Sequence, residues 1–186
     1  MGPELVLSLD NWLPVEVCLV QFGLDRTEFD FGIPSFHWGP STLHRLEIRG
    51  CPKLETLVGL EKLDLHQSLV IADCPLLLYI LPDMKLPPRL RSLVVHGCHK
   101  LISLHLDFNS TFIELEVSDC QGFLHIGGLE HPTNLESLVL LHCRLLELQE
   151  LLPVIPEFVT IFLCPKLKKW CEIQSIEYVE SFLWNY

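Results

Sequence analysis

The sequence predicts an α/β solenoid. Short strands should stack into a curved parallel β-sheet on a concave face, and an irregular convex side of extended, 3₁₀ and short helical segments should return the chain. Two observations carry this. Six cysteines, Cys51, Cys74, Cys98, Cys120, Cys143 and Cys164, stand 23, 24, 22, 23 and 21 residues apart. Around each, apolar residues hold fixed places at five and three residues before and three after the cysteine. A period in this range marks stacked units that bury a core only against their neighbours.

The columns run Leu46, Ile48 and Leu54; Leu69, Ile71 and Leu77; Leu93, Val95 and Leu101; Leu115, Val117 and Phe123; Leu138, Leu140 and Leu146; Val159, Ile161 and Leu167. Alternation before the cysteine gives a strand with one face inward. The cysteine falls where the strand should end, and a small, weakly polar thiol suits burial under a bend. Pro52, Pro75 and Pro165 follow it directly, fixing φ and removing an N–H where the ladder should stop. An outer column eight residues before the cysteine is looser: Leu43, Leu90, Phe112 and Leu135 fit, whereas His66 and Pro156 depart. The resulting LxxLxLxxCxxL pattern is that of a leucine-rich-repeat solenoid. About a dozen residues are left for each return, as in "ETLVGLEKLDLHQ", which is short for a full helix with two turns.

Three segments follow from these columns. Residues 1–42 hold no cysteine-marked copy, but "LVLSL" and "FDFGI" alternate like strands, so degenerate repeats or a cap are expected there. Residues 43–170 hold the six copies. Residues 171–186 space Ile173, Ile176, Val179 and Phe182 by threes, predicting a short amphipathic helix that caps the last coil.

Composition narrows the function. The chain has 186 residues, 49% of them hydrophobic, which is ample for one core. A formal charge of −11 opposes general binding to nucleic acid or to an anionic membrane surface. No apolar run reaches the length of a membrane span, and the opening "MGPELVLSLDNW" lacks a basic n-region, so a reducing, cytoplasmic setting is expected. Free rather than paired cysteines follow from that setting.

The residue patterns predict no catalytic, cofactor or metal site. His96, Cys98 and His99 in "VHGCHKL" come nearest to a metal set, but Cys98 should point inward and His96 outward. Glu114, Glu116 and Asp119 should lie on a broad, shallow face rather than in the pocket that acid chemistry needs. Protein binding is the expectation for the concave face, lined by Arg45, Glu47, Arg49, Val94, His96, Glu114, Glu116, Val139, Leu141, Phe158 and Phe162. The last copies place Phe158 and Phe162 where solvent is expected, which predicts either a contact region or a cover formed by the C-terminal segment with Phe182, Leu183 and Trp184.

The Cys-Pro-x-Leu variants "GCPKLETL" and "LCPKLKKW", in repeats of irregular length, resemble the C-terminal leucine-rich region of plant intracellular NLR disease-resistance proteins. The resemblance covers residues 43–170. It implies a protein-recognition module that senses pathogen effectors, directly or through a guarded host protein, and restrains a nucleotide-binding domain. No GxxxxGK[ST] phosphate loop occurs in this chain, so nucleotide binding is not expected of it. A second resemblance is narrower: "LPVEVCLVQFGLD", residues 13–25, is similar to the opening of an F-box, which would imply a substrate adaptor of a ubiquitin ligase. An F-box requires a helical bundle, and the glycines and prolines of "DRTEFDFGIPSFHWGPS" break helices.

Overall fold

The computed structural model describes residues 15–20, 28–30, 43–58, 65–80, 87, 89–105, 111–129 and 134–180. Its architecture is a β-solenoid, mostly parallel sheet with little helix, as expected of a leucine-rich-repeat chain. The main sheet has eight strands: β1 (Val15–Val20), β3 (Leu43–Arg49), β5 (Leu65–Ala72), β6 (Ser92–His96), β8 (Glu114–Ser118), β10 (Ser137–Leu141), β11 (Phe158–Phe162) and β12 (Tyr178–Val179). They lie in chain order, every pair parallel, so each coil adds one strand.

The register is the cysteine alignment. Leu69, Leu93, Leu115, Leu138 and Val159 face one another across successive strands, as do Ile71, Val95, Val117, Leu140 and Ile161. All of these except Val159 are buried, and Val159 packs partly buried against the same cluster. A one-residue slip would turn this whole set to the other face, so the alternation alone fixes the pairing.

A hydrogen-bond pattern repeated in every copy explains the bend after each strand. The residue before the cysteine has positive φ in all six: Gly50, Asp73, Gly97, Asp119, His142 and Leu163. Its N–H donates to the next strand, for example Asp73 N to His96 O at 3.0 Å and His142 N to Phe162 O at 2.9 Å. The cysteine thiol then donates to the carbonyl two residues back, at 3.3–3.5 Å in each copy. Finally the cysteine carbonyl accepts from the N–H three residues on, at 2.9–3.2 Å. Cys-x-x-Leu is therefore a tight turn, and proline suits its second place because φ is already set.

Short second strands follow the turns: β2 (Glu28–Asp30) pairs with β4 (Thr56–Val58), and β7 (Ser103–His105) with β9 (His125–Gly127). Extended segments therefore form much of the return side, as the short connections required.

At the N-terminal end β1 aligns Val17 and Leu19 with Leu46 and Ile48, so a strand precedes the first cysteine copy in the main sheet. "LVLSL" lies outside the described residues, and of "FDFGI" only Phe29 and Asp30 are described, in β2. At the other end, a 3₁₀ turn (Pro165–Leu167) leads into α1 (Lys168–Gln174), which buries Trp170 and Cys171 and leaves Ile173 59% exposed. The helix thus begins before residue 171 and ends early, where Ser175 turns left-handed at φ 58°. Tyr178 and Val179 then start a further coil as β12, Leu163 N donating to Val179 O at 3.3 Å. Spacing by threes imitated a helix because this coil is short.

Candidate protein-recognition face

The outward side of the main sheet carries the residues expected to bind. Its three columns are the alternate positions of each strand, left pointing away from the core by the same period that buries Leu, Ile and Val. Arg45, Glu47 and Arg49 stand on β3, Val94 and His96 on β6, Glu114 and Glu116 on β8, Val139 and Leu141 on β10, and Phe158 and Phe162 on β11.

The face divides along the solenoid. At its first coils, Arg45 and Arg49 both bond Glu47, with Arg49 Nε at 3.0 Å from the carboxylate, so these charges largely answer one another. In the next coil Val70 and Ala72 are buried despite their outward positions.

At the centre, acids and imidazoles alternate from coil to coil. His96 Nε2 is 4.0 Å from Asp73, its Nδ1 is 3.0 Å from Ser118 Oγ and 3.6 Å from Asp119, and His142 Nδ1 is 2.8 Å from Asp119. Ser118 Oγ donates to Glu116 at 3.4 Å. The grouping of Ser118, His96 and Asp73 has the members of a hydrolytic triad without its access: Ser118 is only 4% exposed. Sequence reading had His96, Glu116 and Asp119 facing outward but missed Ser118 and the linkage of the group. The signal was present, since His96, Ser118 and Asp119 occupy the two columns just before the cysteine in successive copies.

At the last coils the face is apolar, and here one expectation is corrected. Phe158 is 61% exposed, as a contact residue should be, but Phe162 is 8% exposed. Its ring meets the imidazole of His142, centroids 5.3 Å apart, and its strand position is matched by Val179 of β12. Phe162 is therefore buried, with the His142 ring against one side of it. Phe182, Leu183 and Trp184, the segment expected as a cover, lie outside the described residues. Leu151, Val154 and Ile155, in the segment leading to β11, are also exposed.

Beneath this face runs the cysteine column, all six thiols at most 1% exposed. Burial pushes Cys120 up to about 11, and likewise Cys171. The neighbouring thiol and then burial push Cys51, Cys98 and Cys143 up, while Cys74 and Cys164, the neighbours in question, are held down by the same pairing. Among the described residues no three His, Cys, Asp or Glu side chains converge as a metal set, and Cys51, Cys74, Cys98, Cys120, Cys143, Cys164 and Cys171 are free thiols. His96 and Cys98 diverge as expected, the first half-exposed and the second buried.

Set against family models, curated proteins and solved structures, the chain matches none of them.

Proposed function

We propose that the chain is a protein-recognition module working through the outward face of its main sheet, and that it serves as the effector-sensing repeat region of a plant NLR receptor. In that role it binds a pathogen effector or a guarded host protein and restrains a nucleotide-binding domain in the cytoplasm. The observation that carries protein recognition is the exposure of Phe158 on a broad face shared with the half-buried Val139 and Leu141. Aromatic side chains in such surroundings supply much of the energy of protein interfaces. The outward side of a parallel sheet offers a broad face rather than the cleft that a small substrate needs, which supports this reading. The receptor assignment rests on the Cys-Pro-x-Leu form of the repeats.

The test is expression in plant cells followed by affinity capture, comparing the native chain with Phe158→Asp and Leu141→Asp. Proteins held through this face should disappear from both variants while the variants remain folded. Identical captured sets would contradict recognition on this face. Coupling to a nucleotide-binding domain is tested separately, by co-expressing such a domain and measuring whether the chain slows its nucleotide exchange.

A further inference from the structure

The −4 column of the outward face, four residues before each cysteine, contains an anomaly. It reads Glu47, Val70, Val94, Glu116, Val139 and Thr160 in strand order. Glu116 thus interrupts a row of valines, with Val94 on one side and Val139 on the other. Two residues earlier on the same strand and face stands Glu114, between Ser92 and Ser137. Neither carboxylate has a cationic partner among the described residues, and Glu116 has only the Ser118 hydroxyl. A carboxylate set among valines loses hydration whenever a partner covers the row, and an unpaired charge there would oppose binding.

We infer that the segment seated on this face presents an arginine flanked by apolar side chains, its guanidinium held by Glu114 and Glu116. The inference rests on the reading of this face as the binding surface. Alternate residues of a strand are about 6.6 Å apart, a distance across which two carboxylates can converge on one planar fork. The apolar stem of the arginine lies along Val94 or Val139, and its weakly hydrated head tolerates the covered site better than a lysine ammonium. Apolar neighbours of the arginine reach Leu141, one strand on and two residues further along than Glu116, about 8 Å away, and Phe158, two strands on from Glu114, about 10 Å away. Charge complementarity selects this occupant over an acidic segment, which Glu114, Glu116 and Asp119 repel, and over a purely apolar one, which would strand both carboxylates.

The experiment is a solution NMR titration with a short peptide carrying one arginine between two leucines in a Gly-Ser frame. Its counterparts carry glutamate or leucine in place of the arginine. Binding of the arginine peptide should shift the backbone signals of Glu114, Glu116, Val139 and Leu141. Glu114→Gln with Glu116→Gln should weaken it about tenfold while the fold is kept. General attraction to an acidic chain would survive that variant, because only two of 24 acidic residues are changed. Unchanged affinity in the variant, equal binding of the glutamate peptide, or no binding of the arginine peptide overturns the inference. If only the leucine peptide shifts Val139, Leu141 and Phe158, the face remains a binding surface and the arginine is wrong. If none of the peptides shifts them, both readings fail.

Discussion

Phe158 and Phe162 begin and end one strand, share its outward side, and should behave oppositely when shortened. Complete burial of a phenylalanine side chain contributes about 1.5–3 kcal/mol. Phe158 retains 61% of its exposure, so less than half of that contribution is at stake, and Phe158→Ala should cost about 1 kcal/mol. Phe162 keeps only 8%, and its removal leaves a void beside the His142 ring. Core Phe→Ala changes cost about 3–5 kcal/mol, and a site at the end of the sheet belongs near the lower figure. Urea unfolding followed by circular dichroism separates the two, Phe162→Ala lowering the midpoint clearly more than Phe158→Ala. Equal midpoints, or a greater loss for Phe158→Ala, would refute the burial argument and return Phe162 to the binding face. The same contrast dictates which residue is used to test function: Phe158→Asp leaves the core intact, whereas Phe162→Asp buries a carboxylate and unfolds the last coils.

Glycines give a second comparison. Gly97→Ala places a side chain at φ +64° with its Cβ 2.9 Å from the Asp73 carboxylate, which can swing away, so a loss of about 1–2 kcal/mol is expected from backbone strain. Gly122→Ala sets a Cβ 2.4 Å from the His99 carbonyl, which is held by the Gly122 N–H itself at 2.9 Å; separating the coils there should cost more than Gly97→Ala in the same urea assay. Alkaline pH gives a third. Because Cys120 lies at about 11 in the folded chain against an ordinary 9.0, the unfolded chain loses this proton first as pH rises. The stability Cys120 contributes is complete below about pH 9 and is lost as pH climbs through about 11, by up to roughly 1.4 kcal/mol per unit. Thermal melts from pH 7 to 11 should fall in that window, and Cys120→Ala should fall less steeply.

The repeat frame was legible because burial obeys a period. Leu93, Val95, Cys98 and Leu101 can be read as interior from spacing alone, and each is fully buried. What sequence hid depended on neighbours in space. The left-handed residue before each cysteine is glycine or aspartate in four copies, a visible bend signal, but His142 and Leu163 adopt the same conformation without announcing it. They are held there by bonds to Phe162 O and Val179 O on the following strands. Phe162 looked exposed because its burial comes from contacts outside its own strand, the His142 ring among them. Ile176 and Val179 looked helical because a spacing of three fits both a helix and the short connection into β12, whereas α1 ends at a left-handed Ser175 before either residue. On the face itself, residue identities were readable in advance, whereas the pairing of Asp119 with His142 and the isolation of Glu116 among valines required the strand register.

The central claim is that the cysteine column is interior framework and that recognition belongs to the outward columns beside it. Native-state thiol labelling read by mass spectrometry tests it most directly. Cys51, Cys74, Cys98, Cys120, Cys143 and Cys164, each at most 1% exposed, should resist an alkylating reagent until denaturant opens the coils, and should then label in step with unfolding. Rapid labelling of these cysteines in the folded chain would contradict the account, placing reactive thiols where it puts a buried hydrogen-bonded column.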